Sequence, residues 1–215
     1  LLLKNGANPN VKDMFGDTAL HIASINGFDT SVLEILTSYN ADVNERNKQG
    51  ITPLSLAVNK ENKDQVAFYI RNNADIHAED ISSISPLAKA LSLKSSLSYE
   101  LLKILINKDT INSRDSFGNT ALHLACEYNA SAEKMQYLLN LIKDVDARNK
   151  NGDTALLLTV KNNQRQLGEL LISKKADVFS TNNEHYSPLR IALEAGGERQ
   201  EWLINSEIVK SKDAV

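Results

Sequence analysis

The tetrads Thr18-Ala19-Leu20-His21, Thr52-Pro53-Leu54-Ser55, Ser85-Pro86-Leu87-Ala88, Thr120-Ala121-Leu122-His123, Thr154-Ala155-Leu156-Leu157 and Ser187-Pro188-Leu189-Arg190 start 34, 33, 35, 34 and 33 residues apart. Two further ladders keep the same spacing. One is Asp13, Asn47, Asp80, Asp115, Asn149 and Asn182; the other is Asn10, Asn44, His77, Asn112, Asp146 and Phe179. Three ladders locked to one period identify a tandem array of a small unit. Such a unit touches only its neighbours, so the chain is expected to build an extended exposed surface and not an enclosed catalytic pocket.

Residues 47–80 show what one unit folds into. Asn47-Lys48-Gln49-Gly50 is a turn, with glycine at the position that needs a positive φ. Thr52 is the N-cap and Pro53 the first position of a short helix carrying Leu54, Leu56 and Ala57. Asn59 to Lys63 break that helix, and Asp64 opens a second one with Val66, Phe68, Tyr69 and Ile70 apolar. Asn73 ends it in the left-handed conformation, and 74–80 run extended to the next turn. A single helix pair cannot bury its apolar stripe, but stacked pairs can. Leu20, Leu54, Leu87, Leu122, Leu156 and Leu189 should form an inner buried column, and Leu36, Ile70, Leu105, Leu139 and Ile172 an outer one.

The Thr-Pro-Leu-His-like tetrads, the preceding glycine and segments such as Gly6-Ala7-Asn8-Pro9-Asn10, Asn40-Ala41-Asp42-Val43-Asn44 and Lys175-Ala176-Asp177-Val178 resemble the ankyrin repeat. The resemblance implies an all-α fold, an α-solenoid of stacked helix-turn-helix repeats with short β-hairpin or turn fingers. The expected array is a partial repeat at 1–12, repeats at 13–46, 47–79, 80–114, 115–148 and 149–181, and a C-terminal capping repeat at 182–215. The opening residues read as the back half of a repeat without an initiator Met, so the sequence reads as a fragment. Three departures stand out. Ser83 and His185 replace the turn glycine, Leu141-Ile142-Lys143-Asp144 replaces the usual helix ending, and the serine-rich 91–99 should hold two surplus residues as an irregular link between helices.

Composition narrows the function classes. The net charge is -3 with a pI near 5.8, which disfavours nucleic acid as a partner, since phosphate binding needs concentrated Lys and Arg. No apolar run approaches the roughly 18 residues of a membrane span. The lone Cys126 excludes an intrachain disulfide and fits a reducing, cytoplasmic compartment; an upstream signal would place the chain in the periplasm or outside the cell. Cys126 follows Leu124-Ala125 and should be a small core residue. His21 and His123 close their tetrads, where the resemblance implies hydrogen bonds to turn backbone; three repeats apart, they cannot share a metal. No catalytic residue, metal ligand or cofactor site is expected.

The remaining candidates are apolar or basic residues at recurring exposed places. Met14, Phe15, Ile51, Phe117 and Tyr186 mark finger tips, and Ile25, Lys60, Tyr128 and Lys161 mark the ends of inner helices. The resemblance implies that these two sets line a concave groove that meets partner proteins. The expected function is a non-catalytic, monomeric scaffold for protein–protein interaction. Alternatively, the array is the targeting arm of a larger enzyme or effector whose catalytic part lies outside this sequence, or a spacer. Arg46, Lys48, Arg148 and Lys150 beside acids read as a solvated face, and Lys60, Lys161, Arg148 and Lys150 would bias a partner towards acidic character.

Overall fold

A computed structural model describes residues 2–194 and 201–204. All its regular elements are helical: a 3-10 turn at Leu3–Asn5 and twelve α-helices among the described residues. They are α1 (Ala19–Ile25), α2 (Thr30–Ser38), α3 (Pro53–Asn59), α4 (Lys63–Arg71), α5 (Pro86–Ser92), α6 (Ser96–Leu105), α7 (Ala121–Glu127), α8 (Ala132–Leu141), α9 (Ala155–Lys161), α10 (Arg165–Ser173), α11 (Pro188–Glu194) and α12 (Glu201–Ile204). The chain forms two compact units, 1–107 and 108–215.

In the first unit the short inner helices α1, α3 and α5 pack side by side, as do the outer helices α2, α4 and α6, and each inner helix packs on the outer helix that follows it. The second unit repeats this with α7, α9 and α11 inside and α8, α10 and α12 outside. The hydroxyls of Thr52, Ser85 and Thr154 each accept the N–H three residues on, and Pro53, Pro86 and Pro188 stand in the first helical turn. This is a helix start written in sequence, worth about 1 kcal/mol per cap.

Leu20, Leu54 and Leu87 in the first unit, and Leu122 and Leu156 in the second, are fully buried. Leu189 is only half-buried; the buried residues of α11 are Pro188 and Ala192. The outer column departs further from the expected register. Leu36, Ile70 and Ile172 are half-buried, whereas Leu33, Tyr69, Leu138 and Leu171 are fully buried; of the expected residues Leu105 is fully buried and Leu139 buried. Apolar residues three and four apart share a helix face, so the choice between adjacent turns is made by packing. Tyr69 reaches the inner layer, where its hydroxyl pairs with Ser24 Oγ at 2.7 Å; burial pushes its pKa up to about 12.

The link between α5 and α6 corrects one expectation. It has three residues, 93–95, like 60–62 and 162–164, and Ser96 and Ser98 lie inside α6. Ser95 is its N-cap, accepting from Ser98 N–H at 3.2 Å. What differs is conformation: Glu61 and Asn163 are left-handed in the other two links, whereas Leu93 is extended. Likewise, Asn59 and Lys63 belong to α3 and α4, and only 60–62 break the helix. Of the two surplus residues, one lengthens α6 and one the segment that follows it. Helices α2, α4 and α10 have nine residues and are followed by left-handed Asn40, Asn73 and Lys175; α6 and α8 have ten and end on extended Ile106 and Ile142.

At the other end of the second unit, Trp202 of α12 lies against Gly168 of α10 so closely that a Cβ there would clash with the indole ring. The rest of the expected cap, beyond 204 and at 195–200, lies outside the described residues. Leu2, by contrast, is largely exposed ahead of the 3-10 turn.

Candidate functional site

The fingers are turns built on one acceptor. In each, the ladder Asp or Asn side chain takes two backbone N–H groups, two and four residues on. Asp13 bonds Phe15 and Asp17, Asn47 bonds Gln49 and Ile51, Asp80 bonds Ser82 and Ile84, Asp115 bonds Phe117 and Asn119, Asn149 bonds Asn151 and Asp153, and Asn182 bonds Glu184 and Tyr186. These Asx turns are what the ladder spacing implies. The third residue past the ladder position is left-handed, including Ser83 and His185, which adopt positive φ without being glycine. At Gly16 a second constraint acts: a Cβ would stand 2.7 Å from Lys48 N.

Neighbouring fingers are tied by a backbone bond of constant register: Lys48 N–H to Phe15 O and Ile81 N–H to Gln49 O in the first unit, Lys150 N–H to Phe117 O and Asn183 N–H to Asn151 O in the second. Two side-chain bonds supplement it. Asn47, Asn149 and Asn182 Nδ2 donate to Asp17, Asn119 and Asp153 Oδ1 at 2.8–2.9 Å. His21 Nε2 donates to Ile51 O at 2.9 Å and His123 Nε2 to Asp153 O at 2.8 Å, while each Nδ1 accepts the N–H of its own Thr18 or Thr120 at 3.2 Å. Both imidazoles are thereby held in the Nε2–H tautomer. Burial lowers their pKa values, with the accepting carbonyl as a smaller opposing influence.

A third tie went unread in the sequence. Lys12 donates to Arg46 O, Arg46 to Glu79 O, Arg114 to Arg148 O and Arg148 to Thr181 O, and Lys150 Nζ reaches Ser116 O at 2.6 Å. Arg46, Arg148 and Lys150 are therefore finger-to-finger fasteners and not a solvated face. Lys161 is held by the nearly buried carboxylate of Asp153, Nζ to Oδ1 at 3.0 Å. Of the four cations expected to favour an acidic partner, Lys60 alone has no such bond to the fold among the described residues, which removes the basis for that bias. The signal was present as Lys or Arg recurring at one place of successive repeats, but recurrence alone does not distinguish a fastener from a solvated charge.

The candidate contact residues divide between the units. In the first, Met14 and Phe15 are 75% and 58% exposed at a finger tip, Ile25 is 37% exposed at the end of α1, and Lys60 is exposed at the end of the adjacent α3. Ile51 is half-buried, and its carbonyl is engaged by His21 and by Asn47 N–H. In the second unit Phe117 is 57% exposed and Tyr128 half-buried at the end of α7. Tyr186 is half-buried under the Arg190 guanidinium, 4.7 Å from the ring centre. Sequence reading missed Phe28 and Ile35, also exposed, because single apolar residues on links and outer helices follow no ladder. A recess of about 100 Å³ opens where a finger meets the inner helices, among Ile51, Ser55, Asn59, Asp80, Ile84, Ser85, Pro86 and Lys89.

Cys126 is fully buried and its thiol is pushed up by burial, so it stays protonated. Among the described residues no cluster of His, Cys, Asp or Glu could hold a metal ion, and no helix is long and apolar enough to cross a membrane.

Known proteins share this organisation. Two solved structures superimpose closely. The ankyrin repeat domain of Bcl-3, described as a member of the IkappaB protein family, gives a TM-score of 0.73 at 22% identity over 94% of this chain and 88% of that one. The human ASB11 ankyrin repeat domain gives 0.68 at 23% identity, over 95% and 90%. In sequence, the mouse B-cell lymphoma 3 protein homolog is 30% identical over 192 residues, 87% of this chain and 42% of its own length. Human NF-kappa-B inhibitor zeta is 30% identical over 205 residues, 88% and 27%. The chain thus spans less than half the length of these relatives. The profile describing three copies of the ankyrin repeat matches at 1–80, 56–149, 87–182 and 130–213; the chain belongs to the ankyrin repeat family.

Proposed function

We propose that the chain is a non-catalytic scaffold that binds a partner protein through its finger tips and the ends of its inner helices. The observation that carries this reading is the exposure of Phe15 and Phe117. They occupy the same place of their fingers, one in each unit, and both keep more than half their surface in solvent. Their backbone carbonyls are taken by Lys48 and Lys150 N–H, so the finger is fastened while the ring is left outside it. Exposed aromatic residues at repeated positions of a rigid frame are the usual anchors of protein interfaces, and such anchors often contribute 2 kcal/mol or more. Met14 and Ile25 add apolar area in the first unit, and Tyr128 and Tyr186 supply amphipathic rings in the second. Ile51 is placed to contribute an edge, Lys60 a free charge at the rim, and Lys161 mainly its aliphatic stem.

The test immobilises the whole chain, captures proteins from a lysate and compares variants quantitatively. Partners retained by the wild type and by the outer-helix control Glu34→Ala should be lost or weakened at least tenfold by Met14→Ala/Phe15→Ala or by Phe117→Ala/Tyr128→Ala. Equal capture by all variants, with unchanged circular dichroism, would place the contact elsewhere.

A further inference from the structure

The recess beside Ser55 exists because a tie present at equivalent places is absent there. The last tetrad residue is His21 in one repeat and His123 in another, and each imidazole spans to a carbonyl of the next finger. In the repeat of α9 it is Leu157, fully buried and filling the same place with carbon. In the repeat of α3 it is Ser55, which is too short to span. Its hydroxyl turns back to Thr52 Oγ1 at 3.0 Å. The carbonyl that a histidine would address is Ile84 O, which among the described residues accepts its own turn's Asp80 N–H. The second side-chain tie is missing as well. Where other fingers pair an Asn with a preceding Asp or Asn, this junction has Asp80 opposite Ile51, neither of which can donate. Asp80 Oδ1 holds Ser82 and Ile84 N–H, and Oδ2 has no partner among the described residues.

The recess brings together the polar Ser55, Asp80 and Ser85 with the apolar Ile51, Ile84 and Pro86, and Asn59 and Lys89 are the lining side chains that carry N–H donors. Its volume of about 100 Å³ admits one five-membered ring or planar fork and little more. Lys89, whose side chain also lines it, disfavours a second full positive charge and so favours a neutral head. We propose that this recess is a specific subsite for one neutral, planar N–H-donating head, an imidazole, supplied by a side chain of the bound protein. That head completes in trans the bond that His21 and His123 make in cis. Cavities left by a missing group bind small molecules of the missing shape, which is the physical precedent for such complementation.

The subsite rests on the reading of the chain as a protein-binding scaffold only for the source of the head; the recess itself is tested with free probes. Amide spectra of the uniformly 15N-labelled full chain are titrated at pH 8 with imidazole, and separately with methylguanidinium. Saturable shifts at Ser55, Ile84 and Ser85 are expected with imidazole, with a Kd on the order of millimolar for so small a probe. Ser55→His should abolish the shifts by filling the recess from within. Ser55→Leu, which copies Leu157, should abolish them without adding a donor and guards against one variant failing to fold. Methylguanidinium serves as the charged control: a response to it alone, with none to imidazole, would overturn the assignment to a neutral ring. Silence towards both probes, or equal response of the wild type and a folded filling variant, would overturn the proposal. Either result leaves the alanine test of the finger tips independent.

Discussion

Two finger junctions in the first unit share one backbone bond and one basic side-chain tie, Lys12 to Arg46 O in the first and Arg46 to Glu79 O in the second, and differ in the rest. Fingers 13–17 and 47–51 are joined by Lys48 to Phe15, and then also by His21 to Ile51 O and by Asn47 to Asp17. Fingers 47–51 and 80–84 are joined by Ile81 to Gln49 and by Arg46 to Glu79 O, with neither of the other two ties and with a recess in their place. The repeated backbone bond fixes where a finger sits. The side-chain ties decide whether the space behind it is closed.

The largest expected effect comes from breaking the tight junction. His21→Ala removes a buried ring and leaves Ile51 O and Thr18 N–H each short of a partner, a loss of about 2–4 kcal/mol. Ser55→Ala at the open junction should cost under about 1 kcal/mol, since its hydroxyl bonds only locally. Urea denaturation of both variants decides this; equal losses would mean that the histidine tie adds nothing beyond volume.

Acid sharpens the same contrast. Burial lowers the folded pKa values of His21 and His123 below the ordinary 6.5. The unfolded chain therefore takes up protons first. Stability is independent of these groups above pH 6.5 and falls as pH drops from 6.5 to their folded values, by roughly 1.4 kcal/mol for each unit of depression. The double variant His21→Ser/His123→Ser should be less stable at neutral pH and lose this slope. Denaturation midpoints measured from pH 8 to pH 5 test the sign.

Closing the open junction should have a smaller, opposite effect. Ser55→His is expected to stabilise the chain by about 1 kcal/mol, the net worth of one added hydrogen bond with its packing. Rebuilding the other tie, with Ile51→Asp and Asp80→Asn together, should show a favourable coupling of about 0.5–1 kcal/mol in a double-mutant cycle. Additive single effects would show that the two side chains do not meet.

Much of this frame was legible in the residues. The tetrads placed the inner helix starts because a capping hydroxyl followed by proline has one favourable position, and the ladder placed the turns because Asp and Asn accept backbone N–H at short range. The family resemblance supplied the role of His21 and His123, which the structure shows to the atom. What escaped depended on distance in sequence. Arg148 and Lys150 read as solvent charges because their acceptors, Thr181 O and Ser116 O, lie a full repeat away. The outer-helix register escaped because Leu33 and Leu36, one turn apart on α2, offer the same pattern, and only the neighbouring helix chooses between them. The open junction was invisible for the same reason: Ser55, Ile51 and Asp80 are unremarkable singly, and only stacking brings them to one recess.

The Asx turn has a consequence for how such a chain changes over time. Each finger holds its shape with the side chain of one ladder residue and one left-handed residue, while the two residues between them contribute only backbone to the turn. Met14-Phe15, Lys48-Gln49, Ile81-Ser82, Ser116-Phe117, Lys150-Asn151 and Asn183-Glu184 occupy those places, and they have almost nothing chemically in common. Substitutions there leave the turn intact, so they reach selection mainly through what they touch. On the proposed function, recognition would drift from one target to another a pair of residues at a time, least freely where a side chain such as Lys150 also fastens the neighbouring finger.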